Sequence, residues 1–215
     1  MAREGLPFLA VMAALALACW YAAPHFAVLR YGAVVFGILS AFMVFFFRDP
    51  ARTPPAVAGA IVSAADGKVM EIAPAEPGQY MAGGGTRVSI FLSVFDVHIN
   101  RAPMAGRVDF VEWNRGDFRA AYRPDASVVN EHTAIGISNG PVRVVVKQIV
   151  GVLARRIACY LSPGDEVAAG QRFGLIRFGS RVDHILPPEV EVQVRVGDRV
   201  RGGETVLGIH RQTGV

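Results

Sequence analysis

Gly164-Asp165-Glu166-Val167-Ala168-Ala169-Gly170 and Gly197-Asp198-Arg199-Val200-Arg201-Gly202-Gly203 are two copies of one pattern, G-D-x-V-x-x-G, set 33 positions apart. Each is followed by an apolar run, one ending at Ile176 and the other at Ile209. The Gly-Asp pair supplies a tight turn, the valine begins a strand and the closing glycine bends it. Short β-branched runs of period two surround these copies: Arg87–Leu92, Arg107–Val111, Val142–Val146 and Val190–Val194. Gly, Pro, Asp and Asn bound them, as strand ends require. No amphipathic helix of three turns follows residue 55. The C-terminal part is predicted to be mainly β, in two pseudo-symmetric halves.

Toward the N-terminus the pattern changes. Asp49-Pro50 through Pro54-Pro55 forms a Pro-rich hinge, and the residues before it are almost uncharged. Residues 1–50 carry five charged side chains (Arg3, Glu4, Arg30, Arg48, Asp49), while the other 165 residues carry 35. With 52% hydrophobic residues and a mean hydropathy of +0.35, the composition describes an apolar segment joined to one globular domain. Gly5–Ala23 and Tyr31–Phe47 are free of charge. As helices they would be roughly 25–29 Å long, close to the hydrocarbon thickness of about 30 Å. Pro24, His25 and Arg30 suit a turn between them, and Trp20, Tyr21 and Tyr31 suit an interfacial belt. The expectation is an α-helical membrane hairpin over residues 1–47 followed by a β domain over 48–215. Arg3, Arg48 and Arg52 put both ends, and the domain, on the cytoplasmic side of the cell membrane. A cleaved signal peptide would begin similarly, but the second apolar run speaks against simple secretion.

The net charge is +4, and 20 of the 22 basic residues are arginine. Such a balance fits a solvated basic surface or attraction to anionic headgroups. Nothing resembles a nucleic-acid recognition motif, so no nucleic-acid partner is expected. Cys19 and Cys159 are too few and too far apart for a disulfide framework or a four-ligand zinc site, and no metal is expected.

Two serine motifs invite catalytic readings. Gly136-Ile137-Ser138-Asn139-Gly140 matches the G-x-S-x-G string of esterases, whose mechanism needs a strand, an elbow and then a helix. Here Pro141 and a β run follow, so Ser138 belongs to a hairpin turn. Gly179-Ser180 interrupts an apolar strand pattern just after the first G-D-x-V copy. A glycine there leaves its carbonyl unobstructed and permits strained backbone angles, which attack by the next hydroxyl would require.

Arg177–Asp183, Phe47-Arg48-Asp49-Pro50, Ala65–Val69, Phe95–Pro103 and Lys147-Gln148-Ile149 fall in one order along the chain. In that order they resemble the phosphatidylserine decarboxylase proenzymes of the short bacterial and archaeal type. The likeness runs from about residue 45 to the C-terminus. It departs at Ala64 and Val94, where the family often has proline, and at His184. The G-D-x-V copies are similar to the biotinyl/lipoyl-type barrel-sandwich hybrid. Those modules carry a lysine on a hairpin tip, whereas Lys68 and Lys147 are the only lysines here, so that likeness concerns fold alone.

The resemblance implies autocatalytic cleavage between Gly179 and Ser180, giving a β chain of residues 1–179 and an α chain of residues 180–215 that stay together as a heterodimer. Ser180 would become a covalent pyruvoyl group serving in place of pyridoxal phosphate. This group would form a Schiff base with membrane phosphatidylserine and release CO2 and phosphatidylethanolamine. Read alone, Asp66 is an Asx-turn residue and His98 a hydrogen-bonded structural histidine. By resemblance His98 takes the Ser180 proton and Asp66 orients the imidazole. Asn130-Glu131, Lys147 and Arg101 are further candidates for the pocket or the substrate phosphate. The alternative from another class is a non-enzymatic membrane-anchored adaptor, which has no need of Gly179-Ser180.

Overall fold

The computed structural model describes residues 1–123, 125–152, 156–177 and 179–211. The chain divides into two compact units, residues 1–50 and 51–215. In the first, α1 (Leu6–Ala22) and α2 (Leu29–Phe46) are joined by a short turn, and each is long and apolar enough to cross a membrane. Gly32 lets them approach closely, since a Cβ there would lie 3.1 Å from Cys19 Sγ. The α2 hydroxyl of Ser40 donates to Phe36 O at 2.8 Å, so its proton is bonded within the helix. Trp20, Tyr21 and Tyr31 are exposed beside the turn, where amphipathic rings would meet an interface.

The second unit is mainly β. Its strands are β1 (Ala60–Val62), β2 (Gly67–Ala75), β3 (Gly85–Leu92), β4 (Ile99–Arg101), β5 (Gly106–Asn114), β6 (His132–Asn139) and β7 (Val142–Ile149). They continue with β8 (Ile157–Cys159), β9 (Glu166–Val167), β10 (Arg172–Ile176), β11 (Ser180–Leu186), β12 (Val190–Val192), β13 (Arg199–Val200) and β14 (Val206–His210). One sheet has eight strands in the order β13-β2-β3-β11-β7-β6-β5-β9 and curls as a half-barrel. Two small sheets, β4-β10-β8 and β1-β14-β12, complete the unit. Among the described residues the only helix after residue 55 is one turn, Ala126–Val129.

The repeated pattern generates this symmetry. Asp165 Oδ2 accepts the Ser162 N–H and Asp198 Oδ2 accepts the Arg195 N–H, both at 2.8 Å, closing the same turn twice. The following valine strands, β9 and β13, form the two opposite edges of the large sheet. β9 pairs with the start of β5 at Gly106, and β13 with the start of β2 at Gly67. At each glycine a Cβ would strike a neighbouring strand's carbonyl, 2.2 Å from Ser138 O and 2.3 Å from Phe91 O respectively. The closing glycines, Gly170 and Gly203, abut one another across the pseudo-symmetry axis. β10 and β14 then form the central strands of the two small sheets. The expected barrel-sandwich hybrid with two related halves is observed.

Between the sheets lies the apolar core: Val88, Ile90, Leu92, Ile135, Ile137, Val144, Val146 and Val182 from the large sheet meet Phe173, Ile176 and Leu207. Each such side chain stabilises the fold by about 1.5–3 kcal/mol on full burial. Ser138 and Asn139 end β6 at a hairpin whose Gly140 has φ +58, so the G-x-S-x-G string is a turn, as its context implied.

His184 is wholly buried in β11. Its Nε2 accepts the Ala64 N–H at 2.7 Å, and Nδ1 lies 3.4 Å from Val88 O. Proline at position 64 would have no N–H to give. Two departures from the family pattern, Ala64 and His184, are therefore one interaction. Burial pushes the His184 pKa down to about 4, so the unfolded chain takes up this proton first as pH falls. The contribution is fully present above about pH 6.5 and is lost progressively toward pH 4, amounting to about 3 kcal/mol. Melting between pH 7.5 and 4 should show this loss, and His184→Leu should flatten the slope in that window. An unchanged slope would mean that folding does not lower the His184 pKa.

Candidate functional site

β11 enters the sheet between β3 and β7, with Ser180 opposite Leu92 and Arg181 opposite Ile149. Alternation along the strand turns Ser180 and Val182 toward the core and Arg181 and Asp183 away from it. All four are buried. Arg181 Nε donates to Asp183 Oδ1 at 2.6 Å, and Nη2 donates to Ser89 Oγ at 2.8 Å and to Glu71 Oε2 at 3.3 Å. This clamp fixes the strand one residue beyond Ser180. Ser180 Oγ itself is buried and has no hydrogen-bond partner among the described residues. A buried hydroxyl left in that state forfeits roughly 1–3 kcal/mol, so it calls for an explanation.

Gly179 precedes it with φ +70, a conformation that glycine adopts without strain. A Cβ built on Gly179 meets nothing within 4 Å, so the requirement at that position is backbone angle, not space. Space is restricted on the other side. A Cβ on Gly151 would lie 2.5 Å from Gly179 O, so Gly151, just past the end of β7, admits that carbonyl. The sequence reading missed Gly151, because its close neighbour is 28 positions away and no local pattern marks it.

His98 sits just before β4 and is buried. Its Nε2 receives the Gly179 N–H at 3.3 Å, and Nδ1 is 3.0 Å from Asp96 O. An N–H can only donate to a lone pair, so Nε2 is unprotonated and Nδ1–H donates to the Asp96 carbonyl. That tautomer leaves Nε2 as a base beside the Gly179–Ser180 segment. Asp66, at the start of β2, accepts Arg52 Nη2 at 2.7 Å and the Gly202 N–H at 2.8 Å. Arg52 also binds Glu204 at 2.9 Å. Its charge is thus paired inside the β unit.

The other candidates are dispersed. Asn130 Nδ2 donates to Arg119 O and Val150 O, at 2.7 and 2.8 Å, and so latches the preceding loop to the end of β7. Arg101 Nη1 donates to Gly170 O at 3.0 Å. Lys147 lies on the sheet face opposite Gln148 and lines a cavity of about 560 Å³ with His132, Glu112 and Tyr80. Burial, aided by Lys147, lowers the His132 pKa, while Asn130 O accepts from Nδ1 and opposes the shift. Among the described residues no cluster of His, Cys, Asp or Glu is arranged to hold a metal ion.

Comparison with known proteins supplies the class first: the matches are to carboxy-lyases, and the chain is an enzyme of that class. The family model for phosphatidylserine decarboxylase matches residues 39–208. The phosphatidylserine decarboxylase proenzyme of Symbiobacterium thermophilum is 47% identical over 97% of this chain and 94% of its own length. The proenzyme of Desulfotalea psychrophila is 42% identical over 97% and 95%, and that of Carboxydothermus hydrogenoformans 48% over 82% and 83%. The chain belongs to the phosphatidylserine decarboxylase family.

The buried clamp gives a stability prediction independent of catalysis. Arg181→Met leaves Asp183 buried without its cation and should cost about 3–5 kcal/mol in urea unfolding. Arg181→Met combined with Asp183→Leu should cost clearly less than the single change. Equal losses would show that the two side chains do not act as a pair.

Proposed function

We propose that this chain is a phosphatidylserine decarboxylase proenzyme that cuts itself between Gly179 and Ser180. The observation that carries the reading is a buried, unpartnered Ser180 hydroxyl behind a positive-φ glycine whose amide faces the basic nitrogen of His98. In the first step Ser180 Oγ bonds to the Gly179 carbonyl carbon while the Gly179–Ser180 C–N bond breaks. His98 takes the hydroxyl proton, and the freed Ser180 nitrogen acquires one in its place. The product is an ester. Loss of the Ser180 Cα proton then expels the residue-179 carboxylate from Cβ, and one water replaces the nitrogen, which leaves as ammonia.

The chain's own residues set up these steps. The Asp96 carbonyl holds the His98 ring in the tautomer that accepts a proton, and Gly151 leaves room for the Gly179 carbonyl as it becomes tetrahedral. By resemblance Asp66 is the carboxylate that favours the imidazolium His98 becomes, while in the fold it accepts from Arg52 Nη2 and the Gly202 N–H. Arg181 and Asp183 hold the strand still on the far side of the cut. The pyruvoyl group left at position 180 supplies a keto carbon for the substrate's primary amine and an adjacent carbonyl that takes up the electron pair as CO2 leaves. The Ser180 pocket fits such a group, being buried and free of competing partners for the 180 side chain among the described residues, with the His98 imidazole on the preceding amide.

In this reading the hairpin of residues 1–47 keeps the domain of residues 48–215 at the cell membrane, on the cytoplasmic side. The substrate is the phosphatidylserine of that membrane and the product phosphatidylethanolamine. Residues 1–179 and 180–215 remain associated, because β11 pairs on both sides with strands of the larger fragment.

On a denaturing gel the purified chain should give two fragments, and Ser180→Ala a single folded, inactive one. Gly151→Ala should slow cutting at least tenfold while Ser180 remains intact. His98→Ala should also slow it. Efficient cutting in Ser180→Ala would contradict the mechanism, and wild-type cutting in Gly151→Ala would remove the role given to that glycine.

A further inference from the structure

Ser180 is not the only buried polar group at its end of the core. Thr133 Oγ1, Gln148 Oε1 and Asn100 Nδ2 are also buried and have no hydrogen-bond partner among the described residues. They converge from three strands. Thr133 in β6 is in register with Gln148 in β7, which is in register with Val182 in β11. Thr133 and Gln148 alternate in step with the core residues Ile135 and Val146, so they share the face of Ser180. Ser180 lies two residues from Val182, about 6.6 Å along the strand. From the opposing sheet Asn100 completes the group, two residues after His98.

Gln148 Nε2 donates to Asn100 Oδ1 at 2.7 Å. That single bond commits one atom of each amide and leaves Asn100 a donor and Gln148 an acceptor. With both amides turned over, one donor and one acceptor again remain. Gly174 accommodates the pair, since a Cβ there would lie 3.0 Å from Gln148 Nε2. A fold gains nothing from burying such atoms unpaired; apolar residues of the same shape would serve the core better.

We infer that Asn100 and Gln148, with Thr133 beside them, are specificity-determining residues that read the α-amino-acid end of the lipid headgroup. This inference rests on the decarboxylase reading above. A serine headgroup presents a carboxylate acceptor and an amine donor on one carbon, matching the donor and acceptor that the amide pair leaves open. The neutrality of the pair suits the reaction. An arginine would stabilise the carboxylate before CO2 leaves and would gain nothing afterwards, raising the barrier. A neutral amide orients the carboxylate without that penalty. Once CO2 has gone, the ethanolamine headgroup leaves the donor unsatisfied, which favours release of product over product binding.

The test uses the full-length chain and three variants: Asn100→Leu, Gln148→Leu and Thr133→Val, the last altering only a hydroxyl. Three properties are measured: melting temperature, self-cleavage on a gel, and borohydride capture of lipid on the small fragment by mass. Capture is compared between vesicles containing phosphatidylserine and vesicles containing phosphatidylethanolamine, which has the amine but not the carboxylate. The inference expects melting temperatures at or above wild type, normal cleavage, and at least tenfold less phosphatidylserine capture by Asn100→Leu and Gln148→Leu. Phosphatidylethanolamine capture should change less than about twofold. Lower melting temperatures with an unchanged preference for phosphatidylserine would make the pair structural and overturn the inference. Folded but uncut variants would also overturn it, by assigning the pair to processing. Failure of the decarboxylase reading is distinct, because wild type would then neither cut nor capture either lipid.

Discussion

The register of β11 is the constraint on which the site depends. This strand runs through the middle of the large sheet with Arg181, Asp183 and His184 buried, a composition that belongs on a surface. It is tolerated because Arg181 is answered by Asp183, Glu71 and Ser89, and the neutral His184 by a main-chain amide, with Asp183 Oδ2 left without a partner among the described residues. A slip of one residue would drive Arg181 into the apolar core and turn Ser180 away from it. The cost of that slip, several kcal/mol for an unpaired buried ion, makes the register unique. Ser180 is placed by its neighbours' charges more than by any bond of its own.

The repeat supplies the frame around this strand. Two equivalent Gly-Asp turns end in edge strands that terminate the large sheet on either side, and the strands that follow build the two small sheets. β4, which follows His98 and carries Asn100, pairs with β10 from the first repeat. Gly170 and Gly203 meet behind it. The histidine and the serine segment thus come from separate elements that the pseudo-symmetry holds at a fixed separation. In the proposed cleavage, cutting before residue 180 severs a connection but leaves β11 paired with β3 and β7 from Arg181 onward.

Much of this was legible in the sequence, and the residues that escaped share a cause. Period-two runs mark β3, β5, β7 and β12, and the G-D-x-V copies mark the two halves. The hairpin followed from two uncharged stretches and the turn between them. β11 was harder, because Arg-Val-Asp-His does not alternate in polarity; its burial rests on partners more than 90 positions away, Ser89 in β3 and the Ala64 amide before β2. Gly151 and the Asn100–Gln148 pair escaped for the same reason, since each is defined by what approaches it in space. His98 and Asp66 were marked by their motifs. Their bonding was not, for the Asp96 carbonyl at His98 Nδ1 and the Arg52 and Gly202 donors at Asp66 are long-range or main-chain features invisible to residue type.

The most direct measurement of the central claim is the intact mass of the small fragment from freshly purified, active protein. The account predicts a chain beginning at position 180 that is lighter by one ammonia than the hydrolytic peptide of residues 180–215, with an N-terminus closed to sequencing and reactive toward carbonyl reagents. A fragment of full hydrolytic mass with a free Ser180 amine, or full activity in a preparation that remains a single uncut chain, would contradict it.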